Sequence, residues 1–197
     1  ARIASDYARA YGLSLDPERV VITAGASAGI LLALAAATDA GDRVLLPDPG
    51  YACNRQFVSA LGALPVLLPV PSEQGFQPTA EQVAAAWNPQ TRALMLASPA
   101  NPTGTLLSPG ELVAIADVVR GRGGALIVDE IYGRLVFDQP AQTALAAIPD
   151  AIIVNSFSKY YAMTGWRLGW MVVPEHWVEP VRRLAQNLFV APSTVAQ

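Results

Sequence analysis

"RALMLASPANPTGTLLSPGELVAIADVVRGRGGALIVDE", residues 92–130, holds a strand, a helix and a second strand in one pass. The runs RALMLAS (92–98) and ALIVDE (125–130) are apolar along most of their length rather than alternating, which is the pattern of strands covered on both faces. Between them, Ser108 offers an N-cap hydroxyl, Pro109 a pre-set first turn and Glu111 a carboxylate three residues on. Leu112, Ile115, Ala116 and Val119 then fall on one helical face, and Gly121, Gly123 and Gly124 end the pattern. A strand, a covering helix and another strand place both strands parallel in one sheet.

Working outward, the same alternation recurs. RVVIT (19–23), RVLLP (43–47), LPVLLPV (64–70), AIIVNS (151–156) and RLGWMVV (167–173) read as further strands. A helix is expected from about Ser27 to Thr38, stopping near Gly41, and Thr79 with Gln82 makes a second capping box before VAAAW. The expectation is one α/β domain over residues 1–197: three layers, α/β/α, around a mostly parallel seven-stranded sheet. Repeats and low-complexity linkers are absent from the sequence.

Composition narrows the function classes. The chain is 52% hydrophobic and only 15% charged, which suggests much buried sheet or a surface covered by something else. A formal charge of −3 gives no basic footprint for nucleic acid. The single cysteine, Cys53, excludes an internal disulfide and a cysteine-rich metal site, and no metal is expected. The longest apolar run, AGILLALAAA, is too short to cross a bilayer, and the N-terminus shows no signal-peptide pattern. A cytoplasmic protein is the expectation.

Ligands of such sheets bind outside the carboxyl ends of the strands. Those ends carry TAGASAG, PDPGYACN, SPANPTGT, DEIYGR and SFSKYY. Asp129 closes the apolar run ALIV, where a carboxylate is costly without a cation or several donors; taken alone, it reads as a structural salt bridge or cap. Tyr132 adds a phenol from the same loop, and Lys159 follows another buried strand, where a partly dry setting favours a neutral, nucleophilic amine. A carboxylate for a ring nitrogen, a phenol for a ring oxygen and a lysine for a Schiff base are together the requirements of pyridoxal phosphate. Gly25-Ala26-Ser27 lies between a strand and a helix, where backbone N–H groups and the helix dipole favour an anion. Ser156 and Ser158 flank the lysine, and Arg167 is either a bidentate phosphate ligand or a surface ion pair. Tyr51 stacks on a flat ring or packs on a helix; Asn101 is a turn residue or a ring-oxygen contact; Trp166 and Trp170 read as core or interface aromatics.

At this point ANPTGT (100–105), VDEIYGRLVF (128–137) and SFSKYYAMTGWRLGW (156–170), in this order, resemble the fold-type I pyridoxal-phosphate enzymes, specifically the class I/II aminotransferases. The resemblance covers nearly the whole chain. It implies Lys159 as the Schiff-base lysine, Asp129 as partner of the ring nitrogen, Tyr132 as donor to the ring hydroxyl and Asn101 as a contact to ring oxygen and substrate carboxylate. It also implies Tyr51 stacked on the cofactor, and phosphate contacts from Ala26, Ser27, Ser156 and Arg167. The activity implied is transfer of an amino group between an amino acid and a 2-oxo acid, in a homodimer whose sites are shared between subunits. Family members are about twice this long, with an N-terminal segment and a C-terminal small domain that supplies an arginine for the substrate carboxylate. No residue here matches that arginine, so the chain resembles the large, cofactor-binding domain alone. A carbon–sulfur lyase or decarboxylase on the same scaffold, and a non-catalytic sensor domain, are the competing readings. A nicotinamide fold resting on GASAG misses the G-x-G-x-x-G spacing.

Overall fold

A computed structural model describes residues 1–197. Seven strands, β1 (Val20–Thr23), β2 (Arg43–Asp48), β3 (Leu64–Pro69), β4 (Thr91–Ala97), β5 (Ala125–Asp129), β6 (Ile152–Ser156) and β7 (Gly169–Val172), form one sheet. Their spatial order is β1-β7-β6-β5-β4-β2-β3. Neighbours from β6 through to β3 are parallel, whereas β7 is antiparallel to both β6 and β1. Strand β1 therefore points the same way as the parallel five. The carboxyl ends of six strands and the amino end of β7 share one edge.

Six helices cover the two faces. Helices α1 (Arg2–Tyr11), α4 (Ala80–Ala86) and α5 (Pro109–Gly121) pack one core, through residues such as Tyr7, Val83 and Ile115. Helices α2 (Ala26–Ala37), α3 (Cys53–Ala60) and α6 (Val178–Phe189) pack the other, through Ile30, Val58 and Val181. Strand side chains alternate between the two: Leu126 and Val128 face the first core, Ile127 the second. Each fully buried Ile or Leu contributes roughly 1.5–3 kcal/mol by leaving water. Helix α2, an uncharged run of small and branched residues, lies between the sheet and α6 and is buried for most of its circumference. Both expected capping boxes form: Ser108 Oγ accepts from the Glu111 N–H while Glu111 accepts from the Ser108 N–H, and Thr79 pairs likewise with Gln82.

Some expectations need correction. Strand β3 is not covered on both faces, because it is an edge strand with Leu64 53% and Leu67 40% exposed. Strand β7 begins at Gly169 rather than Arg167. A 3-10 turn over Thr164–Trp166 and a left-handed Arg167, φ 50°, bring the chain round before pairing starts. The PDPGYACN turn runs directly into α3, which its turn residues concealed.

Candidate active site

The reversal of β7 assembles the site. In register, Thr23 of β1 and Ser156 of β6 both face Gly169 across the ladders, so the β1–α2 turn, Arg167 and the SFSKYY loop meet at one corner. A Cβ on Gly169 would lie 2.7 Å from the Asn155 carbonyl oxygen and 2.8 Å from the Gly25 carbonyl carbon, closer than packing permits. Glycine there lets the β1–α2 turn close over the sheet edge. Gly25 caps α2 at φ 82°, a region that suits glycine, and Thr23 Oγ1 donates to its carbonyl at 2.9 Å. Ala26 and Ser27 are the first residues of α2, so their N–H groups lack partners within the helix and face the end favourable to anions.

Arg167 lies against this turn. A Cβ on Gly25 would fall 2.8 Å from Nη2 of Arg167, and Nη1 donates to the Thr164 carbonyl at 3.1 Å. No carboxylate pairs with Arg167, which removes the surface ion-pair reading. An exposed guanidinium and the start of a helix thus converge without an anion of the protein between them. Ser158 and Ser156 adjoin, with their hydroxyls 2.8 Å apart. Ser156 Oγ donates to the Leu168 carbonyl at 3.0 Å and accepts from the Ser158 N–H at 3.0 Å, so it holds the loop against the residue that precedes β7. Its single proton is committed, and the Ser158 hydroxyl therefore donates to Ser156.

Asp129, at the end of β5, is buried and pairs in register with Ala97 and Val154. Its Oδ1 accepts from the Ile131 N–H at 3.0 Å. No Lys, Arg or His nitrogen lies within 4.0 Å of it, so the structural salt bridge considered above does not form. Burial, partly offset by that hydrogen bond, pushes its pKa up to about 6. A half-satisfied carboxylate of this kind calls for a positively charged partner. Lys159 is exposed rather than held in the partly dry setting expected from the sequence, and its Nζ lies over the Tyr132 ring, 5.6 Å from the centroid. Tyr51 is 41% exposed at the end of the neighbouring PDPG turn. A hydrogen-bonding contact with Cys53, then burial and the charges of Tyr132 and Asp129, raise its pKa. Asn101 shares with Tyr51 a hollow of about 30 Å³ but hydrogen-bonds to none of the other candidates. Along the edge, Arg167 thus lies against the start of α2 at the β1 end, Ser156 and Ser158 adjoin at the end of β6 with Lys159 over the Tyr132 ring, and Asp129 closes the neighbouring β5.

Sequence reasoning passed over two signals. Lys159 is the only lysine of the chain, against twelve arginines, so it is the one side-chain amine available for imine chemistry. Glu130, next to Asp129, is also buried, with its Oε1 accepting from the Ala144 N–H at 2.6 Å and from Thr143 Oγ1 at 3.1 Å, and its Oε2 unpartnered. Burial outweighs those bonds and raises its pKa to about 7. Two adjacent acidic residues after an apolar strand were the available sign.

Comparison with known proteins identifies the family. The family model for aminotransferase class I and II matches residues 1–197. A valine–pyruvate aminotransferase of Mycobacterium tuberculosis is 47% identical over 197 residues, covering 99% of this chain and 50% of that protein. A crystal structure of a putative aminotransferase from Silicibacter pomeroyi superposes with a TM-score of 0.94 at 46% identity, over 99% of this chain and 52% of the other. An aspartate aminotransferase from Thermus thermophilus with maleate superposes with a TM-score of 0.92 at 31% identity, over 99% and 51%. The chain therefore spans about half the length of the relatives it matches. Sheet order, edge chemistry and family model converge: the chain belongs to the class I and II aminotransferases.

Proposed function

We propose that this chain binds pyridoxal 5'-phosphate through Lys159 and serves amino-group transfer between an amino acid and a 2-oxo acid. The carrying observations are an unneutralised Arg167 and open helix start at the β1 end of the edge, and, further along it, a buried Asp129 without a salt-bridge partner and the sole lysine over the Tyr132 ring. One end fits a phosphate, through Ala26, Ser27, Ser158 and Arg167 and, once its proton is released from Leu168, Ser156. The other fits a protonated aromatic nitrogen at Asp129, with Tyr132 and Asn101 toward a ring oxygen and Tyr51 along the ring face.

When bound, the cofactor supplies an electron sink for the carbanion left by loss of the substrate α-proton. The protein's share is positional and protolytic. Asp129 would keep a ring nitrogen protonated, its carboxylate stabilised by the charge it would pair with. Lys159 is the side chain that would hold the cofactor aldehyde, and its amine, when free, would carry the α-proton as general base and then acid. Relatives named as valine–pyruvate and arginine–pyruvate aminotransferases favour transamination over a lyase or decarboxylase reaction on the same scaffold.

The chain is proposed to be the cofactor-binding part of a longer homodimeric protein. The exposed Phe137 and Trp166, 89% and 51% accessible, support a covered surface near the site, and sedimentation of the longer protein checks it. The test of function is to load the chain with pyridoxal phosphate, add a panel of amino acids, and follow cofactor absorbance and keto-acid release. Cofactor binding with slow turnover is expected, because no arginine here orients the substrate carboxylate. Failure to bind the cofactor would refute the reading.

A further inference from the structure

The loops that carry Tyr132 and Lys159 leave adjacent strands, yet the ladder that aligns them ends early. Strands β5 and β6 are in register only over Ile127–Asp129 and Ile152–Val154, followed by one hydrogen bond from the Glu130 N–H to the Val154 carbonyl. Beyond that point a single side-chain hydrogen bond joins the loops: Arg134 Nη1 donates to Tyr161 Oη at 3.0 Å. Arg134 lies two residues after Tyr132, and Tyr161 two residues after Lys159.

Asp6 of α1 closes this link into a ring. Its Oδ2 accepts from Arg134 Nη2 and, at 3.1 Å, from the Tyr161 hydroxyl, while its Oδ1 takes Arg9 at 2.5 Å. The Arg134 guanidinium also lies over Tyr160, 5.3 Å from the ring centroid, and over Tyr11 at 5.6 Å. The Asp6 and Arg134 side chains are only 16% and 17% exposed, so their attraction is less screened than that of an exposed pair. Both residues that follow Lys159 are therefore held by one side chain of the Tyr132 loop, itself anchored on a helix of the core. A planar guanidinium is suited to this task, because it binds a carboxylate and a phenol at once while stacking on an aromatic face.

We propose that Asp6, Arg134 and Tyr161 form a positioning triad that sets Lys159 against Tyr132 for reaction at the cofactor aldehyde. No member of the triad is among the residues proposed to hold the cofactor, and the triad acts through the two loops. The proposal rests on the reading that Lys159 is the reacting amine. It assigns to the Arg134 loop a role in the rate of attack rather than in cofactor affinity. A ring of three hydrogen bonds tolerates little slack, and a displacement of about 1 Å at a reacting amine slows reaction up to a hundredfold.

The experiment compares wild type with Tyr161→Phe and Arg134→Lys. Tyr161→Phe keeps the ring that packs on Phe157 and Tyr160, at 5.1 Å in each case, and loses only the hydroxyl. Arg134→Lys keeps the charge but loses the fork. Two quantities are measured: the rate of covalent attachment of pyridoxal phosphate at Lys159, in which the amine condenses with the aldehyde and water leaves, by borohydride quenching; and non-covalent affinity in a Lys159→Ala background. Both variants are expected to attach at least tenfold more slowly with affinity changed less than twofold, and the slowing in Tyr161→Phe is expected without a large loss of thermal stability. Attachment at the wild-type rate in Tyr161→Phe would overturn the triad, as would equal losses of rate and affinity. No attachment in wild type would instead refute the assignment of Lys159.

Discussion

Gly25 and Arg167 occupy each other's space: a Cβ on Gly25 would stand 2.8 Å from Nη2 of the guanidinium, at a backbone φ of 82° that disfavours any side chain. Glycine at this cap therefore admits the arginine to the start of α2. Gly25→Ala is predicted to cost ~1–2 kcal/mol of backbone strain and to push Arg167 away from the Ala26 and Ser27 N–H groups. Affinity for pyridoxal phosphate should fall roughly tenfold or more, while binding of pyridoxal, which lacks the phosphate, should change little. Titration with both ligands measures this. Equal losses for the two would show that the turn does not hold the phosphate.

Asp129 has a different signature. The proposed role is to keep a ring nitrogen protonated, a charge that the amide of Asp129→Asn does not stabilise in the same way. Cofactor affinity should fall modestly, and exchange of the substrate α-proton into deuterated water should slow by roughly a hundredfold or more. Exchange near the wild-type rate would place the ring nitrogen elsewhere.

The same carboxylate shapes the pH dependence of the unliganded fold. Burial raises the pKa values of Asp129 to about 6 and Glu130 to about 7, above those of the unfolded chain, so protonation favours the folded state. That contribution is fully present below about pH 4 and is lost as the pH rises through about 6 for Asp129 and about 7 for Glu130. Each group accounts for at most ~3–3.5 kcal/mol. Urea denaturation of wild type, Asp129→Asn and Glu130→Gln between about pH 4.5 and 7.5 should show both variants losing less stability than wild type over that span. An unchanged slope would mean that the two carboxyls are better solvated than their burial indicates. Bound cofactor should also flatten the Asp129 share, since a positive partner stabilises its carboxylate.

Most of the fold was legible because local and global signals agree. The 92–130 unit carries its own strand runs, cap and helical face, and the structure reproduces each within a residue or two. What the sequence concealed was direction and coverage. Nothing in RLGWMVV distinguishes a reversed strand from a parallel one, and LPVLLPV is apolar although it lies at an edge. The candidate site was legible at Asp129 and Lys159 because a charged residue ending an apolar strand, or following three residues after one, is conspicuous. Gly169 and the Asp6–Arg134–Tyr161 ring were not, since their importance depends on contacts spanning up to 155 positions.

The central claim is that Lys159 is the amine that carries the cofactor, and the sequence makes the test unusually clean. With one lysine in the chain, the only other amine is the N-terminus. The decisive measurement is peptide mass spectrometry after incubation with pyridoxal phosphate and reduction with borohydride. A single pyridoxyl phosphate on the peptide containing Lys159, abolished in Lys159→Ala and in Lys159→Arg, is the predicted result. An unlabelled chain, or label confined to the N-terminal amine, would contradict it.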